Sequence, residues 1–163
     1  MVIWIIGKSG SGKSYIAKQL YDYLKIKNKR KVIWIDGDKF RKKNSKDLGY
    51  SLKDRKINSK RIQVYCKKFD NKNYIVICSI LSIFTNHQKR NRKIFKNYLQ
   101  IFIKADIATL KKRNNKGIYN KKKFVVGKDI LFPKPYKSDL IIKNKFDNNF
   151  KKSLKKILKI LNE

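Results

Sequence analysis

Eight residues near the start of the chain, Gly7-Lys-Ser-Gly-Ser-Gly-Lys-Ser14, follow directly on the apolar run Val2-Ile-Trp-Ile-Ile6. The spacing G-x-x-x-x-G-K-[ST] is that of a phosphate-binding loop, whose glycines let consecutive backbone N–H groups turn toward a polyphosphate. Gly7, Ser9, Gly10, Ser11 and Gly12 would form this loop, Lys13 would reach the outer phosphates, and the Ser14 hydroxyl is placed for Mg²⁺. A flexible glycine turn would also satisfy the bare pattern. The setting decides against it: the loop joins a strand-length apolar run to the amphipathic stretch Lys13 to Lys25, and a helix starting there aims the positive end of its dipole at an anion.

Short apolar runs alternate with helix-length amphipathic stretches along all 163 residues, of which 41% are hydrophobic. That alternation predicts a soluble α/β protein with helices on both faces of a parallel sheet. The expected elements are strand 2–6, loop 7–12, helix 13–27, strand 31–35 and an irregular segment 39–50. A capping box, Ser51 to Asp54, opens a helix over 52–70. Strand 74–78, an amphipathic stretch 87–97, strand 99–103, a short helix ending near Arg113 and strand 139–142 follow. A closing helix carries Phe146, Phe150, Leu154, Ile157, Leu158 and Leu161 along one core-facing stripe. The whole chain, 1–163, reads as one three-layer domain of the P-loop kinase type with about five parallel strands. Residues 114–137 hold both prolines and little periodicity, which predicts a lid loop over the nucleotide.

No apolar stretch reaches the roughly 20 residues of a membrane span. Met1 leads straight into the first strand, so a cytoplasmic protein without a targeting segment is expected. Cys66 and Cys78 have neither metal nor redox spacing and read as buried thiols. Lys and Arg number 44 against 11 Asp and Glu, a formal charge of +33, which attracts anions. The lysines are spread along every segment rather than gathered on one, so the charge reads as a coat that steers small anionic nucleotides, not as a nucleic-acid surface. A homodimer is compatible with the sequence but not specified by it.

In a parallel sheet, ligands bind beyond the carboxyl ends of the strands. Three groups fall there: the phosphate loop, the pair Asp36-Gly-Asp38, and Ser79 to Thr85. Phosphoryl transfer from MgATP needs one carboxylate to help hold Mg²⁺ and another to take the proton of the attacking hydroxyl. Asp36 and Asp38 fit these two tasks, with Asp36 placed at the metal and the choice of base open between them. An ordinary turn with helix-capping oxygens is the alternative reading of Asp-Gly-Asp.

The runs Asp36-Gly-Asp-Lys-Phe-Arg41, Asn44, Asp47-Leu-Gly-Tyr50-Ser-Leu-Lys-Asp54-Arg55, Asn58 and Arg61 resemble the corresponding stretch of adenylylsulfate kinases. Leu81-Ser-Ile-Phe84, Arg90, Arg92 and Lys116-Gly-Ile-Tyr119 continue the likeness in order, over roughly residues 2 to 142. The resemblance implies a kinase that moves the γ-phosphoryl of ATP to the ribose 3′-hydroxyl of adenylylsulfate. It implies Arg41, Arg55 and Asn58 at the acceptor's phosphate-bearing end, and Tyr50 stacked on its base. Leu81 and Ser82 would line the acceptor pocket, Lys116 would reach it from the lid, and Arg113 would pack near the ATP base. Arginines suit such a role because their planar fork binds phosphate or sulfate oxygens in pairs. Ser82 aligns with a serine proposed in the family to be phosphorylated, although in-line transfer requires only positioning and charge stabilisation.

The chain departs from the family pattern at four places. Ser-Pro after the third strand becomes Ser82-Ile83, Asp-Pro before Lys-Gly becomes Asn114-Asn115, and the lid is shorter between Tyr119 and Gly127. The lid phenylalanine that covers the acceptor base falls on Val125, beside Phe124. Relatives in surface-polysaccharide pathways phosphorylate cytidine diphosphoramidate at the same ribose position. The expected acceptor is therefore adenylylsulfate, with cytidine diphosphoramidate as the alternative. A non-catalytic basic nucleotide- or nucleic-acid-binding protein is a third reading, opposed by the intact Lys13, Ser14 and Asp36-Gly-Asp38.

Overall fold

Val2–Ile6 (β1) is buried at every position, and its side chains alternate between two cores, as the period of two in a strand requires. Ile3 and Ile5 pack with Ile16, Leu20 and Leu24 of helix α1 (Lys13–Lys27). Val2, Trp4 and Ile6 pack on the other face with Phe40, Ile62 and Cys66. A strand covered on both faces in this way belongs in the middle of a parallel sheet. The computed structural model describes residues 1–27, 31–114, 117, 119 and 123–162.

β1 pairs with β3 (Ile75–Ile80) on one side and β4 (Tyr98–Lys104) on the other, all parallel. β2 (Val32–Asp36) and β5 (Leu140–Lys143) form the edges, so the order is β2-β3-β1-β4-β5. The register sets Asp36 opposite Ser79, and Ile5 opposite both Ser79 and Ile101. The expected α/β fold with five parallel strands is thus observed. Cys66 and Cys78 are buried, unbridged thiols in the second core.

The segment expected to be irregular, 39–50, is helical over its first part: α2 spans Gly37–Asn44. Its start is set by Asp36, whose carboxylate accepts from the amides of Asp38 and Lys39, an N-cap that satisfies two orphan donors. The Asp-Gly-Asp motif was therefore also a helix signal. Helix α3 (Leu52–Asn71) opens as expected, with Ser51 Oγ accepting from the Asp54 amide at 3.2 Å. Helix α4 spans Thr85–Ile94, starting before and stopping short of the expected 87–97; Phe95 turns inward against Trp4 instead. Helix α5 (Ile107–Arg113) is capped by Asp106.

The single closing helix is a correction as well. Two helices, α6 (Asn148–Lys151) and α7 (Ser153–Leu161), end the chain. Phe150, Leu154, Ile157, Leu158 and Leu161 join the first core. Phe146 does not: it adopts φ +63° before α6 and packs against the small cluster of Ala105, Leu110, Tyr119 and Val125. Among the described residues no helix is long and apolar enough to cross a membrane.

Candidate active site

The loop after β1 owes its shape to where its carbonyls go. The Lys8 carbonyl accepts from Lys13 Nζ at 2.7 Å, the Ser9 carbonyl from the Tyr119 hydroxyl at 3.1 Å, and the Ser11 carbonyl from Asn144 Nδ2 at 3.0 Å. The Lys8 carbonyl also takes the Ser11 N–H at 3.2 Å, closing the turn; an anion nest is built from loop amides whose carbonyls are held away in this manner. A Cβ on Gly7 would come within 2.6 Å of the Ile103 carbonyl oxygen. Gly12 sits at φ +95°, and a Cβ there would meet the Phe150 ring at 2.6 Å and Asn144 Nδ2 at 2.9 Å. Both positions therefore demand glycine. Ser11 Oγ is buried without a hydrogen-bond partner among the described residues.

Ser14, in the first turn of α1, donates to Asp36 Oδ2 at 2.7 Å. The same oxygen accepts from Ser79 Oγ at 3.2 Å, and Ser79 accepts from the Trp34 indole N–H at 3.0 Å. Asp36 Oδ1 takes the two α2 amides, each at 3.1 Å. A hydroxyl beside a carboxylate, at the mouth of a phosphate nest, is a donor set that suits Mg²⁺, which uses one or two protein oxygens and completes its shell with phosphates and water. Asp38 lies exposed in the first turn of α2, on the side of Arg55. Burial, with the nearby Arg41 charge, lowers the pKa of Arg55, while Tyr50 and the Asp38 carboxylate work in the opposite direction.

Arg41, Tyr50 and Arg55 come together as one unit. Both guanidinium groups lie against the half-exposed Tyr50 ring, 5.0 and 5.4 Å from its centroid. Arg41 also donates to the Gly49 carbonyl, and Arg55 to the Tyr50 carbonyl at 3.0 Å and the Phe124 carbonyl at 2.9 Å. Two cations converging on one aromatic ring make an anion site. Asn58 is buried nearby in the chain on α3, with an Oδ1 that lacks a partner among the described residues. Leu81 and Ser82 follow β3, Leu81 half-buried and Ser82 buried. Val125 is buried in the small cluster with Tyr119, whereas Phe124 is half exposed at φ +60°. Lys116 lies outside the described residues.

Arg113, at the end of α5, stacks its guanidinium 4.3 Å from the Phe146 ring centroid. Phe146 is itself tied back, its N–H donating to Asn144 Oδ1 at 2.6 Å. Asn144 thus connects the phosphate loop to the Arg113 platform. Sequence reasoning named Arg113, and placed Ser79 at the carboxyl ends of the strands without its partners, but missed the roles of Asn144, Phe146 and Trp34. A polar residue just past the end of a sheet strand was the available signal for Asn144; nothing in the sequence pairs Trp34 with Ser79.

The phosphate nest on the central strand, with Ser14 held to the aspartate that ends the edge strand β2, defines a P-loop phosphotransferase of the ATP-dependent kinase class. Residues 1–143 match the profile of adenylylsulphate kinase, and the chain belongs to that family. Its relatives include the cytidine diphosphoramidate kinase of Campylobacter jejuni, 37% identical over 98% of this chain and 95% of that protein. The adenylyl-sulfate kinase of Bacillus licheniformis is 33% identical, over 86% of this chain and 75% of that protein. Among solved structures, the APS kinase of Mycobacterium tuberculosis in complex with AMPPNP and APS shares the fold, with a TM-score of 0.88 at 23% identity over 99% of this chain and 97% of that one.

Proposed function

We propose that the protein transfers the γ-phosphoryl of MgATP to the ribose 3′-hydroxyl of a nucleotide. The observation that carries this reading is the Ser14–Asp36 contact at 2.7 Å, which joins the phosphate loop to the end of β2, from which α2 and its carboxylate Asp38 follow. Lys13 and the loop amides hold the β and γ phosphates. Ser14 and Asp36 would hold Mg²⁺, which, when bound, spreads the charge of the transferring group. Asp36 Oδ1 takes two amides and Oδ2 two hydroxyls, so its part in holding the metal runs through Ser14 or through water. The proton of the 3′-hydroxyl goes to Asp38, which stands in the first turn of α2 on the side of Arg55. Arg41, Arg55 and Asn58 bind the acceptor's anionic end, Tyr50 supports its base, and Ser82 shapes the pocket without carrying phosphate itself. Arg113 and Phe146 flank the ATP base, and the segment 114–137, with Lys116, serves as a lid on a single domain.

Cytidine diphosphoramidate is the acceptor we favour. The relative that acts under that name matches nearly end to end. The lid position expected to stack on the acceptor base, Val125, is taken up by packing with Tyr119 and Leu110, which leaves Phe124 to close over a base resting on Tyr50. Adenylylsulfate is the second reading, supported by the family profile over residues 1–143. An ATP-using enzyme of this kind works in the cytoplasm, and we expect it there. Incubation with MgATP and a panel of both acceptors, followed by phosphorus NMR, should reveal a new 3′-phosphate on the true acceptor. No product with any nucleotide, together with tight salt-sensitive binding to DNA or RNA, would overturn the kinase reading.

A further inference from the structure

Behind the acceptor side lies a buried hub of side-chain amides. Gln88 of α4 and Gln100 of β4 are 1% and 0% exposed. Gln88 Nε2 donates to the Ser82 carbonyl at 3.1 Å and to Ser82 Oγ at 3.4 Å, while Gln88 Oε1 accepts the Tyr136 N–H at 2.7 Å. Gln100 Nε2 donates to the Tyr136 carbonyl at 2.7 Å and to Ser138 Oγ at 3.3 Å, and its Oε1 takes the Tyr98 hydroxyl at 2.8 Å. The partners fix which way the Gln88 amide points. A peptide N–H only donates and a peptide carbonyl only accepts, so the oxygen must face Tyr136 and the nitrogen Ser82. One uncharged side chain thereby fastens the strand end carrying Leu81 and Ser82 to the segment 131–138, which leads from Phe124 into β5.

We propose that Gln88 is a positioning residue for the acceptor nucleotide, holding Ser82 in fixed relation to the 131–138 segment so that acceptor affinity, and not ATP affinity, depends on its amide. The phosphate loop and Arg113 make no hydrogen bond to this hub among those described, which is why the two substrates separate. The inference rests on the placement of Ser82 in the acceptor pocket.

Gln88→Glu is the discriminating variant because it keeps the shape and replaces the donor by an acceptor facing the Ser82 carbonyl. At pH 8 the acceptor KM should rise roughly tenfold or more while the ATP KM stays unchanged. Burial raises a carboxyl pKa, and the protonated Glu again offers an O–H to Ser82 and a carbonyl to Tyr136, so the acceptor KM should return toward wild type as pH is lowered to 6. Wild type measured at each pH corrects for the titratable groups packed around the hub, His87, Lys89, Arg92, Tyr98, Lys137 and Asp139. Gln88→Met, which has no polarity to restore, should show the raised acceptor KM at every pH and serves alone if the Glu variant does not fold. An unchanged acceptor KM, or acceptor and ATP KM rising together, overturns the proposal. A wild-type protein that phosphorylates no acceptor overturns instead the functional reading beneath it, and the proposal with it.

Discussion

The Ser14 hydroxyl and the Asp36 carboxylate, 22 residues apart in the chain, meet at 2.7 Å between the first turn of α1 and the carboxyl end of β2. The direction of the chain of bonds behind them is determined by Trp34. An indole N–H can only donate, so Ser79 accepts from it and must send its own proton to Asp36. Trp34, Ser79, Asp36 and Ser14 therefore form one polarised relay that aims the carboxylate at the phosphate loop.

Two carboxylates with different surroundings should fail differently when neutralised. Asp36→Asn keeps an oxygen for the α2 amides, since Asn caps as well as Asp, but loses the acceptor for two hydroxyls, so turnover should fall by two or more orders of magnitude with a loss of roughly 1 kcal/mol in stability. Asp38→Asn should lower turnover to a similar degree with unfolding unaffected and ADP still bound. Steady-state kinetics, urea unfolding and nucleotide titration check both, and near-normal turnover in both variants would refute the assignment.

Removing the middle of the relay tests whether it matters. Ser79→Ala leaves the Trp34 N–H without its acceptor, which should cost about 1–3 kcal/mol in urea unfolding. Asp36 loses one of its two hydroxyl donors, and turnover should drop by roughly tenfold. Ser79→Thr keeps the hydroxyl and should recover most of both losses. Equal behaviour of the Ala and Thr variants would show that only volume counts at this position.

Gly12→Ala places a methyl where the Phe150 ring and Asn144 already stand, on a backbone at φ +95°. The strain should destabilise the protein by roughly 1–3 kcal/mol, and displacing Asn144 releases the Ser11 carbonyl, which should abolish measurable ATP binding by calorimetry.

His87 is the only histidine, and its Nδ1 contacts Ser59 Oγ at 2.9 Å. Burial, followed by the charges of Lys56, Arg90 and Lys60, holds its pKa below the ordinary value. Above about pH 6.5 the ring is neutral folded or unfolded and contributes nothing to pH dependence. As pH falls below that value, the unfolded chain takes up the proton first, so stability declines until the folded pKa is passed. Thermal melts between pH 7.5 and 5 should show this decline in the wild type, with a slope of less than one proton, and a flatter profile in His87→Gln.

Much of the fold was legible from pattern alone. The alternation of apolar runs with amphipathic stretches places five strands and their helices, because burial on two faces leaves its period in the residues themselves. The phosphate loop was equally plain, since its backbone geometry demands Gly7 and Gly12 where they stand. What pattern concealed was dual use: Asp36 serves both as helix cap and site carboxylate, so the helix it starts was read as irregular chain. Phe146 likewise looked like one more member of a core stripe, yet its positive φ takes it out of the helix and under Arg113.

The residues alone determined that this chain has a polyphosphate nest on a central parallel strand, with two carboxylates and a set of arginines able to meet an anionic nucleotide. Tertiary structure decided which carboxylate faces Ser14, that Val125 is buried while Phe124 stays exposed, and that Gln88 ties Ser82 to Tyr136. The reason is physical: a nest depends on local backbone torsions written into adjacent residues, whereas hydrogen-bond partners 40 or 50 positions apart exist only once strand order and register bring them within 3 Å of each other.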